Sequence, residues 1–413
     1  MPDDEKVAAI RRMLPATGAG IFLNAGTCGP LPAEVQRAMD EQAATELAMG
    51  RAKADQFLAF AERMAEVRAT VAAALVADPD DIALTHSTTD GINQVLGSIP
   101  WRPGDRILTT NHEHPGVLGP LQAARDRHAV TVDVIDIGDG GDAEAVLAGF
   151  RSALERPTRA IVVSHALWTT GAVLPVRDLA ATARSAGALA VIDGAQSAGA
   201  IPVALEDLGA DAYAVPGQKW LLGPEGMGAL WVRRTLADSL VPAWAGYGGY
   251  ASFEYGGVGG TLRPGARRFE VTNFHRPSVI GFGRGVGWLS MYVGLPWAIE
   301  RAGRLAAAAR RRLAGIPGVE LVTPPDHGGT LVTFRIAGWR AATAVPELSA
   351  RVFAIIRDLP PLDAIRISVG FWNTEDELER FADAVELLAA HTPDTIPARR
   401  TLAVLGSDGL PID

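Results

Sequence analysis

Cysteine is nearly absent from this 413-residue chain: Cys28 stands alone. An intrachain disulfide and any cysteine-built zinc or iron–sulfur site are therefore excluded, and a reducing cytoplasm is the compartment that fits. Lysine is almost as scarce. Of 38 basic residues three are lysines, Lys6, Lys53 and Lys219, so chemistry that needs an amine has few places to reside. There is no basic tract, and the net charge is −9. Nucleic acid is disfavoured as a partner, because phosphate contacts need clustered Lys and Arg. No apolar run approaches the ~18 residues of a membrane span. The N-terminus, MPDDEKVAAIRRML, is acidic and lacks the apolar stretch of a signal peptide.

What is present is ordinary globular composition, 48% hydrophobic and 21% charged, in a chain long enough for two or three domains. Residues 1–20 read as a short amphipathic segment leading into IFLNAG. Met64, Val67, Val71 and Leu75 recur at helical spacing within 58–77. Short apolar runs then alternate with helix-length stretches. The runs are Ile82–Thr85, Arg106–Thr109, Val130–Ile135, Ala160–Ser164 and Leu189–Ile192; the stretches are 91–98, 116–126, 142–153 and 175–186. Such alternation predicts βαβ units and a mostly parallel sheet covered on both faces. Two more strands, near Ala212–Val215 and Met227–Val232, close the series. The Gly- and aromatic-rich segment 243–266 reads as irregular, a long helix is predicted over 278–313, and 319–390 reads as a small α+β unit. Its last helix opens with a capping box, Thr374 and Glu377. The expected organisation is an N-terminal segment (1–20) packing on the small domain, a large α/β domain (21–285), the small α+β domain (286–392) and a tail (393–413).

Several constellations could carry chemistry. Lys219 lies between a strand and a glycine-rich turn among apolar neighbours, where desolvation would make its amine nucleophilic; the alternative is a snorkelling surface lysine. Lys6 and Lys53 sit among charged residues and read as solvated. Asp193 ends the apolar strand LAVI, at the edge where α/β sheets place ligands, and either serves a ligand or caps a helix. Gln196, three residues on, could face the same pocket. Ser87, Thr88 and Thr89 precede a helix and form either an anion cradle or a simple cap. The run Asn111-His112-Glu113-His114-Pro115 invites a metal reading, which lacks further ligands at recognisable spacing; a His ring stacked on a flat cofactor fits better. Arg366, on an apolar strand, either pairs with a buried acid or clamps a substrate carboxylate. Arg268–Asn273 offers polar residues that could equally form an ion pair and a helix cap. Gly281–Gly287 lacks the third glycine of a dinucleotide fingerprint, and no strand precedes it.

Taken together and in order, from LNAGTCGPLP to FWNTEDELERF, these pieces resemble the class V aminotransferase group of pyridoxal-phosphate-dependent enzymes. This is the fold type I group that includes cysteine desulfurases, cystine C–S lyases and isopenicillin N epimerase. VIDGAQSAG and GQKWLLGPEGMGALWV are the most telling blocks. The resemblance implies a large α/β domain with a mostly parallel sheet plus a small α+β domain, and pyridoxal 5'-phosphate as cofactor. It implies that Lys219 carries the cofactor as a Schiff base and later moves the Cα proton. Asp193 would pair with the pyridine nitrogen, His114 would stack on the ring, and Gln196 would lie near the phenolic oxygen. Thr88 and Thr89 would hold the phosphate, and Thr272 would reach the cofactor of a neighbouring subunit, which implies a homodimer. Arg366 and Asn24 would meet the amino-acid substrate. The chain departs from desulfurases in five places, one of them Val271, which stands where a Gly usually precedes Thr272. No cysteine occurs in 346–365, where they carry their catalytic thiol. Gln218 stands where His usually precedes the lysine, and Pro216 replaces a phosphate-binding Ser. Trp168 takes the place of an Asn beside the cofactor, with Thr169 or Thr170 as substitutes. These departures favour β-elimination, which needs no enzyme thiol. Transamination and epimerisation are the alternatives, with persulfide-forming desulfuration or a non-catalytic cofactor-fold protein further behind.

Overall fold

The computed structural model describes residues 3–271, 273–326 and 329–399. Its centre is a seven-stranded sheet. The spatial order is Ile82–Thr85, Gly228–Val232, Ala212–Pro216, Leu189–Asp193, Ala160–Ser164, Arg106–Thr110 and Thr131–Ile135. Gly228–Val232 runs antiparallel to both neighbours and every other pairing is parallel. The inner strands are buried on both faces, so they read as continuous apolar runs rather than as alternations. Side chains still alternate between faces. Val163 and Ile192 join one core with Val71 and Phe282, while Val162 and Val191 join the other with Ile92 and Val117.

The helices between strands match the expected alternation: Thr88–Ser98, Pro115–His128, Ala143–Leu154 and Val176–Ser185. Two expectations fail. The long helix is broken into Arg276–Gly287, a π-helical turn Trp288–Val293 and Leu295–Ala314. Gly294 between them adopts φ +85, which ends the helix although the apolar periodicity continues. The irregular excursion holds a β-hairpin, Tyr250–Phe253 with Gly260–Leu262. The rejected glycine run lies within Arg276–Gly287, and a Cβ on Gly283 would strike Val67 at 2.6 Å. Its glycines serve close helix packing.

A second sheet of four antiparallel strands follows, ordered Val319–Leu321, Leu331–Ile336, Ala364–Ser368 and Arg357–Leu359. Its core joins Phe334, Ile365 and Phe381 to Leu305 and Leu348. The helix Glu375–Ala389 begins with the expected capping box at Thr374 and Glu377. The N-terminal helix Asp3–Met13 is tied to this end of the molecule, since Arg11 binds Glu377 at 2.7 Å and the Trp372 carbonyl at 2.9 Å. Lys6 is not simply solvated: its ammonium lies 3.8 Å from the Trp297 ring centre. Among the described residues no helix is long and apolar enough to cross a membrane.

Candidate active site

Five parallel-running strands point their C-terminal ends at one place. Beyond Thr85 come Ser87, Thr88 and Thr89; beyond Thr110, His114; beyond Ser164, Trp168. Asp193 ends its own strand, and Pro216 leads to Gln218 and Lys219. All of these line a cavity of about 230 Å³, which the small sheet closes with Arg357 and Arg366. The crevice past the carboxyl ends of the strands is where open α/β sheets bind ligands.

Lys219 is the one lysine in the lining. Burial, reinforced by Arg366 and Arg357 and opposed by Asp193, brings its ammonium down to about 8. About a tenth is therefore free amine at pH 7, far more than for an ordinary lysine, and free amine is what nucleophilic attack on a carbonyl needs. Its backbone is held by the turn: the Gln218 carbonyl accepts from Gly29 N–H at 2.8 Å, and Lys219's own carbonyl accepts from Leu222 N–H.

Asp193 is buried, and one carboxylate oxygen accepts the Ala195 N–H at 2.7 Å. Burial raises its pKa, while Lys219 and that N–H oppose the rise. A polar network stands behind it. The Tyr213 hydroxyl meets His165 Nδ1 at 2.8 Å and Ser197 Oγ at 2.5 Å, and the Tyr213 ring packs so closely under Gly194 that a Cβ there would meet it. The Gln196 amide donates to the Gly26 carbonyl at 2.8 Å and accepts from Trp220 Nε1.

His114 caps the helix Pro115–His128 by accepting Gly116 N–H at Nδ1, and its ring stands edge-on to Trp168 with centres 5.0 Å apart. Burial, Lys219, Arg357 and Arg366 all disfavour its protonation, bringing it to about 4. It is a neutral imidazole, suited to lie against a flat ring. The metal reading of its neighbours dissolves. His112 binds Thr169 Oγ1 at 2.7 Å and the Gly138 carbonyl, and Glu113 is buried, accepting from Thr110 and from the Ser164 hydroxyl and N–H. Burial pushes the Glu113 carboxyl up to about 7.

Lining the same cavity, Ser87 Oγ accepts the Asp90 N–H and its carbonyl accepts the Gly91 N–H. The first N–H groups of that helix are left to face an anion. The Thr88 hydroxyl is buried with no partner. On the small sheet Arg366 is buried. One of its nitrogens donates to the Trp168 carbonyl at 2.9 Å, while Nε and Nη2 have no partner.

Three sequence candidates do not reach the lining. Thr169 turns its hydroxyl to His112, and its carbonyl accepts from Thr333 at 2.6 Å. Thr170 likewise donates to the Asp139 carbonyl. Asn24 bridges to Ser368 and accepts from the Thr27 hydroxyl. Thr272 lies outside the described residues. Conversely, Arg357 lines the cavity although sequence reasoning passed over it; a lone Arg in the apolar run AIIRDL was the available signal. Cys28, remote in sequence from Lys219, lies close enough for the two to influence each other's charge, and its thiol donates to Glu225 at 3.6 Å.

These residues fit pyridoxal phosphate on structural grounds. An amine with a lowered pKa, a buried carboxylate, a neutral ring and an unsatisfied helix-terminus hydroxyl all share one cavity. The comparisons agree. The family model Aminotransferase class-V matches residues 21–381. The chain is 26% identical to a "Probable cysteine desulfurase" of Methanothermobacter thermautotrophicus, over 92% of this chain and 97% of that one. It is 31% identical to an isopenicillin N epimerase of Amycolatopsis lactamdurans, over 89% and 94%. A solved complex of the cystine C–S lyase C-DES with cysteine persulfide superposes with a TM-score of 0.85 at 25% identity, covering 90% of this chain and 99% of that one. The chain belongs to the class-V aminotransferase family and is a pyridoxal-phosphate-dependent enzyme.

Proposed function

We propose that the protein is a β-eliminating enzyme, a C–S lyase acting on an α-amino acid that carries sulfur at Cβ. The observation that carries this reading is the make-up of the lining. Among the described residues it offers one amine base, Lys219, and no cysteine. Cys28 is held by Glu225, and burial and that carboxylate both raise its pKa, so it is a protonated thiol rather than a nucleophile.

When bound, pyridoxal phosphate supplies an aldehyde that captures the substrate's amine and a ring that withdraws electrons from Cα. The chain's own residues do the rest. Thr88 and Thr89 would hold the phosphate at the helix terminus, and His114 and Trp168 would wall the ring. Asp193 would keep the ring nitrogen protonated, and Gln196 would serve the phenolic oxygen. Arg366 holds the substrate α-carboxylate with its unpartnered nitrogens. Lys219 would take the Cα proton as the Cβ–S bond breaks. Sulfur leaves with the electron pair and takes up a proton as a thiol or persulfide, and water then releases the remaining three carbons as pyruvate, with ammonia.

The reading includes a homodimer with its cavities near the interface, as the family resemblance implies. The exposed Tyr247, Tyr255 and Val258 around the hairpin offer apolar surface for it. A second reading, epimerisation, draws support from the 31% identity to an isopenicillin N epimerase; it needs a second proton carrier on the far face of the substrate. Product analysis separates the readings. Pyruvate formed from L-cystine or a thioether amino acid supports elimination. A keto acid matching the intact substrate points to transamination, and a D-amino acid carrying solvent deuterium at Cα to epimerisation; either result without pyruvate would overturn the lyase assignment.

A further inference from the structure

Resting on the reading of this cavity as an amino-acid site, we propose that Arg357 is a specificity residue that selects substrates bearing a second anionic group, a carboxylate or similar acid, beyond the α-carboxylate.

Arg357 and Arg366 are direct cross-strand partners on neighbouring strands of the small sheet, so their side chains leave the same face. Both line the cavity. Like charges directly opposite on a ladder are destabilising, and each guanidinium here depresses the protonation of Lys219 and His114. The protein nevertheless supplies neither with a carboxylate. Arg366 donates to one carbonyl and leaves two buried nitrogens unpartnered. Arg357 donates to the Asp358 carbonyl at 3.2 Å and reaches the Thr27 hydroxyl at 3.4 Å. Asp193 is the one carboxylate in the lining, at the end of the large sheet, where it answers the ring nitrogen.

The charge count follows from placement. The lining holds three cationic side chains, Lys219, Arg357 and Arg366, against that one carboxylate. Ser87, Thr88 and Thr89 would hold the cofactor phosphate at the helix terminus, away from the small sheet. An α-carboxylate on Arg366 would leave Arg357 with only a carbonyl and a hydroxyl as partners. A second acid group on the substrate side chain would give Arg357 a charged partner. Amino acids with sulfur at Cβ that end in a distal carboxylate, symmetrical disulfide amino acids among them, belong to this class, and simple dicarboxylic amino acids serve as binding probes for it.

The test uses the holoprotein reconstituted with pyridoxal phosphate and two nearly isosteric pairs, L-glutamate with L-glutamine and L-aspartate with L-asparagine. Dissociation constants are read from the change in absorbance of the bound cofactor. In at least one pair the acid should bind about tenfold or more tighter than the amide, because the added contact is a charge-assisted fork. In Arg357→Gln that ratio should fall to about one, and Arg357→Lys should restore part of it. Equal binding within both pairs, or a ratio unchanged in Arg357→Gln, overturns the proposal. So does loss of cofactor retention in Arg357→Gln with the ratio preserved, which would place the arginine at the phosphate. If the wild-type protein takes up no pyridoxal phosphate, the reading of the cavity fails first and the proposal falls with it, an outcome visible before any amino acid is added.

Discussion

Lys219 and Asp193 leave neighbouring parallel strands and enter one cavity from adjacent positions on the rim of the sheet. Each shifts the other toward its charged form while burial pulls both the other way. Burial prevails at Lys219 and gives it a reactive amine. The same pairing favours the carboxylate form of Asp193 against burial, and that carboxylate would meet the ring nitrogen of a bound cofactor.

The pH dependence of cofactor uptake tests this directly. Free amine, not ammonium, attacks the aldehyde. With the ammonium lowered to about 8, the rate of uptake by cofactor-free protein should climb with pH and level off once that value is passed. A rate that keeps rising through the ordinary lysine range would show that Lys219 is not desolvated.

Arg366→Ala should weaken amino-acid binding by about 1.5–3 kcal/mol, the range for hydrogen bonds to charged groups. Cofactor binding should persist, because the arginine acts on the substrate. Spectral titration with one amino acid reads both quantities. An unchanged dissociation constant would remove Arg366 from the carboxylate site.

Cys28→Ser should leave turnover nearly unchanged, because the thiol is hydrogen-bonded to Glu225 and is not part of the cavity lining. The thiol's hydrogen bond to Glu225 can be kept by the hydroxyl. A collapse of steady-state activity with circular dichroism intact would bring the thiol into the reaction and revive desulfuration.

Glu270 shows the structural side of the same region. Its carboxylate binds Arg68 through both oxygens, at 2.9 and 3.1 Å, and accepts the Leu84 N–H. Both side chains are buried, so Glu270→Ala strands a charge and should cost about 3–5 kcal/mol in denaturant unfolding. A loss below about 1 kcal/mol would mean that Arg68 finds water or another partner.

Much of this was legible in the sequence for physical reasons. Strands buried on both faces spell continuous apolar runs, so the large sheet announced itself, and the scarcity of lysine isolated Lys219. Asp193 and Arg366 stood out as charges in apolar surroundings. Other features were hidden. The break at Gly294 depends on a backbone angle that periodicity does not encode. Thr169 and Asn24 have suitable chemistry, but the first turns to His112 and the second to Thr27. Arg357 becomes notable through its register opposite Arg366, which is a property of strand pairing. Cys28 reaches the neighbourhood of Lys219 because Gly29 binds the Gln218 carbonyl, a long-range contact without a sequence signature.

The most direct test of the account is to trap the cofactor where it is attached. The protein is loaded with pyridoxal phosphate, reduced with borohydride, digested and mapped by mass spectrometry. The account predicts a single modified peptide containing Lys219, and loss of both the visible absorption band and that modification in Lys219→Ala. A modification on Lys6 or Lys53, or a visible band that survives in Lys219→Ala, would contradict it.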